Sequence, residues 1–333
     1  MRRKVVSNLA IAAVVSMAAT TTQAAVWNGG DGTYQTAGNW TPSGVPNTAG
    51  GEDITINDGN VNYVAGGDFV LRSTATIGGT GRFYQTGGNA WMQIGTGGAG
   101  ATINVNTGGT FESGSAGNVR FGDNGAATSA TLNVNGGAVT IANGFEFNRG
   151  TINVNSGSLT FNSGNLNVSG SNGVYVNGGL LDLGLSTGET KISSLTATIE
   201  VNGGTLRTRL FGLGDAVGAI TVPFSAGRIE VGSSYEGVFS NAPTDYINFT
   251  GPATGVYYIT GGTTSSANTI IGDGRLRYEG TAYSVANGWQ VTEVSGGVEI
   301  RSLFAAEAAV PEPASIGLLG VAAMGLLARR RKA

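Results

Sequence analysis

Thr131-Leu132-Asn133-Val134-Asn135-Gly136-Gly137-Ala138-Val139-Thr140-Ile141 is the stretch whose pattern points to the fold. Polar and apolar residues alternate from Thr131 to Asn135. That is the period of a strand with one buried face, so Leu132 and Val134 point inward. Asn-Gly-Gly supplies the left-handed backbone of a tight turn, and Ala138 to Ile141 reads as a second strand. The pattern recurs at Thr102-Ile103-Asn104-Val105-Asn106-Thr107-Gly108-Gly109, at Thr151-Ile152-Asn153-Val154-Asn155-Ser156-Gly157 and at Thr198-Ile199-Glu200-Val201-Asn202-Gly203-Gly204. A partial copy is Val174-Tyr175-Val176-Asn177-Gly178-Gly179. Ile103, Val105, Ile152, Val154, Ile199 and Val201 are therefore expected in the core with Leu132 and Val134.

Turn glycines fall at 67, 88, 109, 137, 157, 179 and 204, spaced 21, 21, 28, 20, 22 and 25 residues apart. A period of this size predicts an all-β fold of parallel β-helix type, a β-solenoid in which each coil covers its neighbour's core. The 28-residue step suggests an insertion around Gly114 to Asn124. Asn106, Asn135, Asn155, Asn177 and Asn202 would stack in equivalent turns as a hydrogen-bonded ladder. The alternative is a β-sandwich of Asn-Gly hairpins, which the same dipeptides serve.

Outside this region the pattern changes. Residues 26 to 64 carry Trp27-Asn28-Gly29-Gly30-Asp31-Gly32, then Asn39-Trp40, Gly44-Val45-Pro46-Asn47 and Asp53-Ile54-Thr55-Ile56. This resembles the opening of exported β-helical, autotransporter-like passengers, and implies a cap whose tryptophans seal the core. From 205 to 305 the period fades, although Arg228–Val231, Tyr246–Phe249, Val256–Ile259, Trp289–Thr292 and Val298–Ile300 still read as strands. Irregular late coils and a small sandwich both fit.

Both ends read as addresses. Met1-Arg2-Arg3-Lys4, an apolar run from Leu9 to Ala19, and small residues up to Ala24 make a secretory signal peptide cut after Ala24. At the other end, Ala305 to Ala309 lead into Val310-Pro311-Glu312-Pro313. An uncharged stretch follows from 314 to 328, and then Arg329-Arg330-Arg331-Lys332. As a helix the uncharged stretch covers about 22 Å, short of a hydrocarbon core of about 30 Å. Snorkelling arginines close the gap and stay cytoplasmic. This tail resembles the PEP-CTERM sorting signal of Gram-negative bacteria. The resemblance implies processing by an exosortase, a membrane cysteine transpeptidase, and association with extracellular polysaccharide. The expected organisation is signal peptide 1–24, solenoid 25–210, irregular β region 211–304, linker with Pro-Glu-Pro 305–313, transmembrane sorting helix 314–328 and basic tail 329–333. The expected partners are the secretion machinery, signal peptidase, the exosortase, the membrane and extracellular polysaccharide. The expected destination is the cell surface or matrix, by way of an inner-membrane intermediate.

Composition narrows the chemistry. With no His and no Cys among 333 residues, His-based triads, thiol nucleophiles, disulfides, and zinc, haem or iron–sulfur sites built on those residues are excluded. Between residues 26 and 310 there are 11 basic and 20 acidic residues. An acidic passenger without a basic stripe is a poor partner for nucleic acid. A polysaccharide hydrolase or lyase needs clustered carboxylates, often with calcium or an Arg base. Glu52-Asp53 is the one adjacent acidic pair, and only stacking could join Asp123 to Glu146 or Asp182 to Glu200. Asn28-Gly29-Gly30-Asp31-Gly32 resembles a calcium-binding glycine repeat but is not tandem. Lys191, the passenger's only lysine, is not preceded by Ser-x-x-Lys. Thr102, Thr131, Thr151 and Thr198 share a register, the raw material of an ice-binding face, but do not form regular Thr-x-Thr pairs. The expectation is a structural or adhesive protein with no catalytic residues, metal or cofactor. A polysaccharide-binding or polysaccharide-degrading β-helix is the alternative, and ice binding a minor one.

Overall fold

The computed structural model describes residues 23–304 apart from 65, 87–89, 115–116, 124–127, 163–164, 186–188, 193–195, 214–220, 233–245 and 251–253. The chain winds into a β-solenoid of about eight coils, and each coil adds short strands to parallel sheets.

The first sheet stacks Ile54–Ile56, Thr74–Ile77, Ala101–Asn106, the leading halves of Ala130–Ile141 and Gly150–Phe161, Gly173–Val176, and the leading half of Thr198–Thr208. Here the repeats of the sequence lie in register. Ile103, Leu132 and Ile152 are neighbours, as are Val105, Val134 and Val154, and the columns continue through Val174 and Val176 to Ile199 and Val201. All of these side chains are buried. Each contributes roughly 1.5–3 kcal/mol by leaving water. The second sheet holds the strands after the turn: Asn60–Tyr63, Arg82–Gln85, Thr110–Glu112, the trailing halves of the long strands, and Leu180–Asp182. The third is split into Phe69–Leu71, Met92–Ile94, Val119–Phe121 and Phe145–Phe147, then Leu166–Val168, Glu189–Ile192 and Leu210–Leu213. Pairing between repeats is parallel, so the hairpin sandwich is not the fold.

The turns explain the glycine content. A Cβ on Gly137 would stand 2.6 Å from the carbonyl oxygen of Gly109. One on Gly179 would stand 2.8 Å from that of Gly157. Backbone packs on backbone there, and a side chain has no room. The expected amide ladder runs beside this glycine column. Asn135, Asn155, Asn177 and Asn202 each donate Nδ2 to the Oδ1 of the preceding coil's Asn, at 3.3, 2.9, 2.8 and 3.2 Å. Ser225 Oγ, 3.1 Å from Asn202 Oδ1, carries the ladder one coil further.

Two readings of the sequence are corrected, and one that was open is decided. The first two turns are at Gly59 and Gly81, the residues before Asn60 and Arg82, not at Gly67, and Gly88 lies outside the described residues. The stretch from Gly114 to Asn124, of which 115, 116 and 124 lie outside the described residues, is not wholly an insertion. It contains the strand Val119–Phe121, in register with Met92–Ile94 and Phe145–Phe147. Beyond residue 205 the coils continue: Thr221–Val231 adds to both sheets, followed by Tyr246–Phe249, Val256–Thr260 and Leu276–Tyr278.

Both ends of the core are closed. At the start, Trp27 and Trp40 are buried edge to face, with ring centroids 5.0 Å apart. Their indole nitrogens donate to the carbonyls of Gly30 and Tyr34, so these tryptophans are seals. At the far end, Gly297–Ser302 pairs antiparallel with Val256–Thr260 and with Trp289–Val294. The helix Thr264–Gly272, started by a Thr263/Ser266 capping box, buries Ala267, Ile270 and Ile271 there. Trp289 packs edge to face on Phe249 at 4.9 Å.

Candidate functional site

Three groups of outward-facing residues carry the chemistry of this molecule. The first is the amide and hydroxyl face of the first sheet. Beside the long ladder stands a second, in which Asn133 donates to Asn104 at 2.9 Å and Asn153 to Asn133 at 2.8 Å. The threonine column runs Thr74, Thr102, Thr131, Thr151 and is then interrupted by Gly173 before Thr198. In the adjoining column Tyr175 and Glu200 follow Asn153. The hydroxyl array is therefore short and broken.

The second group is the ion-pair system of the second sheet. Arg82 forms a forked pair with Glu112, Nε to Oε1 at 2.9 Å and Nη2 to Oε2 at 2.5 Å, and lies over the Tyr84 ring. Arg207 bridges Asp182 and Glu230 from neighbouring coils. Arg228 joins Glu230 to Glu299 and stacks on Tyr258. Burial raises the Glu299 pKa, but bonds from Arg228 and Arg301 outweigh it and hold the carboxyl below its ordinary range. Bonds from the Thr264 backbone amide and hydroxyl lower the pKa of Glu293, and bonds from Thr80 and the Gly59 amide lower that of Asp58. Arg suits these positions because its flat guanidinium can fork onto a carboxylate and lie on a ring at once.

The third group lies on the third sheet, where stacking brings Asp123 and Glu146 to one place. With Arg120 and Asn148 they line an open groove of about 430 Å³. Arg120 donates Nε to Glu146 at 2.9 Å and covers the Trp91 ring at 4.7 Å, while Asp123 accepts the Gly97 amide at 3.0 Å. Asp182 and Glu200 are on different sheets, Asp182 beside Arg207 and Glu200 beside Tyr175. In the glycine-rich cap loop, Asp31 is occupied by Asn60. Among the described residues no three His, Cys, Asp or Glu side chains gather as metal ligands. Lys191 lies in Glu189–Ile192 of the third sheet. The sequence pointed to the two acids of the groove but missed Arg120 and Trp91, whose proximity appears only once coils that are 27 and 26 residues long in the third sheet are stacked in register.

Of the sorting residues, Ala24 is half-buried and directly precedes Ala25, which is buried in Ala25–Trp27 and donates its amide to Asp53 O at 2.9 Å. Val310, Pro311, Glu312, Pro313, the 314–328 stretch and Arg329, Arg330 and Arg331 lie outside the described residues, as do residues 1–22. Among the described residues no helix is long and apolar enough to cross a membrane.

Residues 309–332 match the PEP-CTERM protein-sorting motif. The match takes in Pro311-Glu312-Pro313, the uncharged stretch and the arginine cluster. A PEP-CTERM motif marks an exported, membrane-transiting protein that an exosortase processes. No curated protein and no solved structure matches the chain.

Proposed function

We propose that this chain is a non-enzymatic protein of the cell surface or extracellular matrix, a rigid acidic β-solenoid displayed outside the cell, with extracellular polysaccharide as its partner class. In this reading signal peptidase cuts after Ala24. The 314–328 stretch holds an inner-membrane intermediate with Arg329–Arg331 on the cytoplasmic side, and the exosortase acts at Pro311-Glu312-Pro313.

The observation that carries the non-enzymatic reading is the use made of the carboxylates. Glu112, Glu146, Asp182, Glu230 and Glu299 are paired with arginines. Asp53, Asp58, Asp68 and Asp123 accept backbone amides. A glycosidase needs one carboxyl whose pKa is raised so that it can act as an acid. The resolved carboxyl shifts here, at Asp58, Glu293 and Glu299, are all downward.

The test is release of reducing ends or unsaturated sugars from neutral and acidic glycans, with and without calcium. The expected result is no release. Turnover abolished by substituting one carboxylate would establish an enzyme instead.

A further inference from the structure

The geometry points to Tyr175 and Glu200, side by side on the first sheet, as the docking point for an arginine side chain of a partner protein. This goes beyond the polysaccharide reading above and does not depend on it.

The same pair occurs twice on the second sheet. Tyr84 and Glu112 are register partners on adjacent parallel strands, and so are Tyr258 and Glu230. Each of those pairs holds a guanidinium. Arg82 forks onto Glu112, with its Cζ 4.3 Å from the centre of the Tyr84 ring. Arg228 Cζ is 4.0 Å from the centre of the Tyr258 ring, and its Nε is 3.7 Å from Glu230. The arginine stands two residues before the tyrosine in the first case and two before the glutamate in the second. Tyr175 and Glu200 are register partners in the same way. The corresponding positions there are Gly173 and Thr198, which carry no charge. Both side chains of the pair are partly exposed. Among the described residues neither the Tyr175 hydroxyl nor the Glu200 carboxylate has a hydrogen-bond or ion-pair partner. The ring and carboxylate that hold an arginine elsewhere in this molecule stand here without one.

The surroundings complete the site. A Cβ on Gly173 would stand 2.7 Å from Tyr175 Cε2, so the ring leans along its strand over the glycine. On the flank away from Glu200, Asn153 is also a register partner of Tyr175. It gives its Nδ2 to Asn133, and its Oδ1 accepts no hydrogen bond among the described residues. A guanidinium has five donors in a plane, so it can fork onto Glu200, reach Asn153 and lie on the ring together. An ammonium, on lysine or on an amino sugar, is a compact charge without that plane. Charge favours the encounter as well, because the passenger is acidic overall and attracts a cationic partner.

Frontal affinity chromatography of the full chain in mild detergent tests this, on beads bearing arginine, lysine or glucosamine at equal density. Arginine beads are expected to retain the protein most strongly. Glu200→Gln and Tyr175→Leu should each weaken that retention about two- to fivefold, the scale of an exposed ion pair or cation–π contact. Asp273→Asn removes one exposed carboxylate elsewhere and should leave the preference for arginine beads unchanged. Glu200→Gln is nearly isosteric and decides the matter if Tyr175→Leu fails to fold. Equal retention on arginine and lysine beads overturns the proposal. So does equal weakening by Asp273→Asn and Glu200→Gln, which is the mark of plain ion exchange. Strongest retention on glucosamine beads, lost in Glu200→Gln, would give the pair to a cationic polysaccharide instead. Retention on arginine beads that neither Glu200→Gln nor Tyr175→Leu changes overturns the docking point.

Discussion

Gly157→Ala tests the stacking of the coils. Gly157 has φ of +79° and lies over the carbonyl of Gly137 in the coil before it. Two costs add. An L-residue in the left-handed region costs about 1–2 kcal/mol. The new methyl would also sit deep inside the van der Waals shell of the Gly137 oxygen. That oxygen is backbone and cannot swing aside, so the coils must part locally. Two or three ladder hydrogen bonds at the turn then weaken, at about 1 kcal/mol each. The total is about 3–5 kcal/mol, well above the typical cost of a point substitution of about 1 kcal/mol. Gly66→Ala is the control, because Gly66 is exposed and a Cβ there meets nothing within 4 Å. It should change stability by less than about 0.5 kcal/mol. Urea titration followed by tryptophan fluorescence and far-ultraviolet dichroism gives the midpoints. A Gly157→Ala midpoint indistinguishable from that of Gly66→Ala would refute the claim that backbone meets backbone at these turns.

Three further outcomes are expected. The Tyr257 hydroxyl is fully buried without a hydrogen-bond partner among the described residues, and burial pushes its pKa up; Tyr257→Phe should be neutral or stabilising by up to about 1 kcal/mol, which the urea midpoint reports. Glu299 has a depressed pKa in the folded chain, so its contribution is full above the ordinary glutamate range and lost as pH falls through the folded value. Glu299→Gln should therefore cost up to about 1 kcal/mol at pH 7 and less as the pH is lowered into the acid range, read from paired urea titrations at neutral and acid pH. Mass spectrometry of exported protein should find Ala25, not Val26, as the first residue, because Ala25 is buried and its amide bonds Asp53; the same spectra should lack peptides containing Arg329–Arg331.

Much of this molecule was legible where the repeat is regular. Thr-Ile-Asn-Val-Asn followed by glycine displays three constraints at once: an inward apolar column, an outward amide column and a turn without room for a side chain. The first turns were misplaced because Asp58-Gly59 and Thr80-Gly81 do the work of Asn-Gly-Gly without its spelling, while Gly66-Gly67 imitates it in a loop. The late coils were obscured for the same reason: Ser225-Ala226-Gly227 makes the turn of Thr221–Val231, and Ser225 replaces the ladder asparagine. The strands of the third sheet are too short to show a period, and Val119-Arg120-Phe121 passed for an insertion. The second amide ladder and the Arg120–Glu146–Trp91 cluster depend on which residues of different coils face one another. That register follows from the stacking and not from any local stretch.

Paired cysteines test the parallel register most directly, and the natural chain contains none to interfere. In the solenoid Asn133 and Asn153 are register partners on adjacent parallel strands. Their Cα atoms are then about 4.8 Å apart, inside the range a disulfide spans. In a hairpin sandwich the turn at Gly136-Gly137 would set Asn133 opposite Thr140 instead. Non-reducing electrophoresis and peptide mapping of the two double variants decide between them. The solenoid requires that Asn133→Cys with Asn153→Cys cross-links under mild oxidation and that Asn133→Cys with Thr140→Cys does not. The reverse result would contradict it.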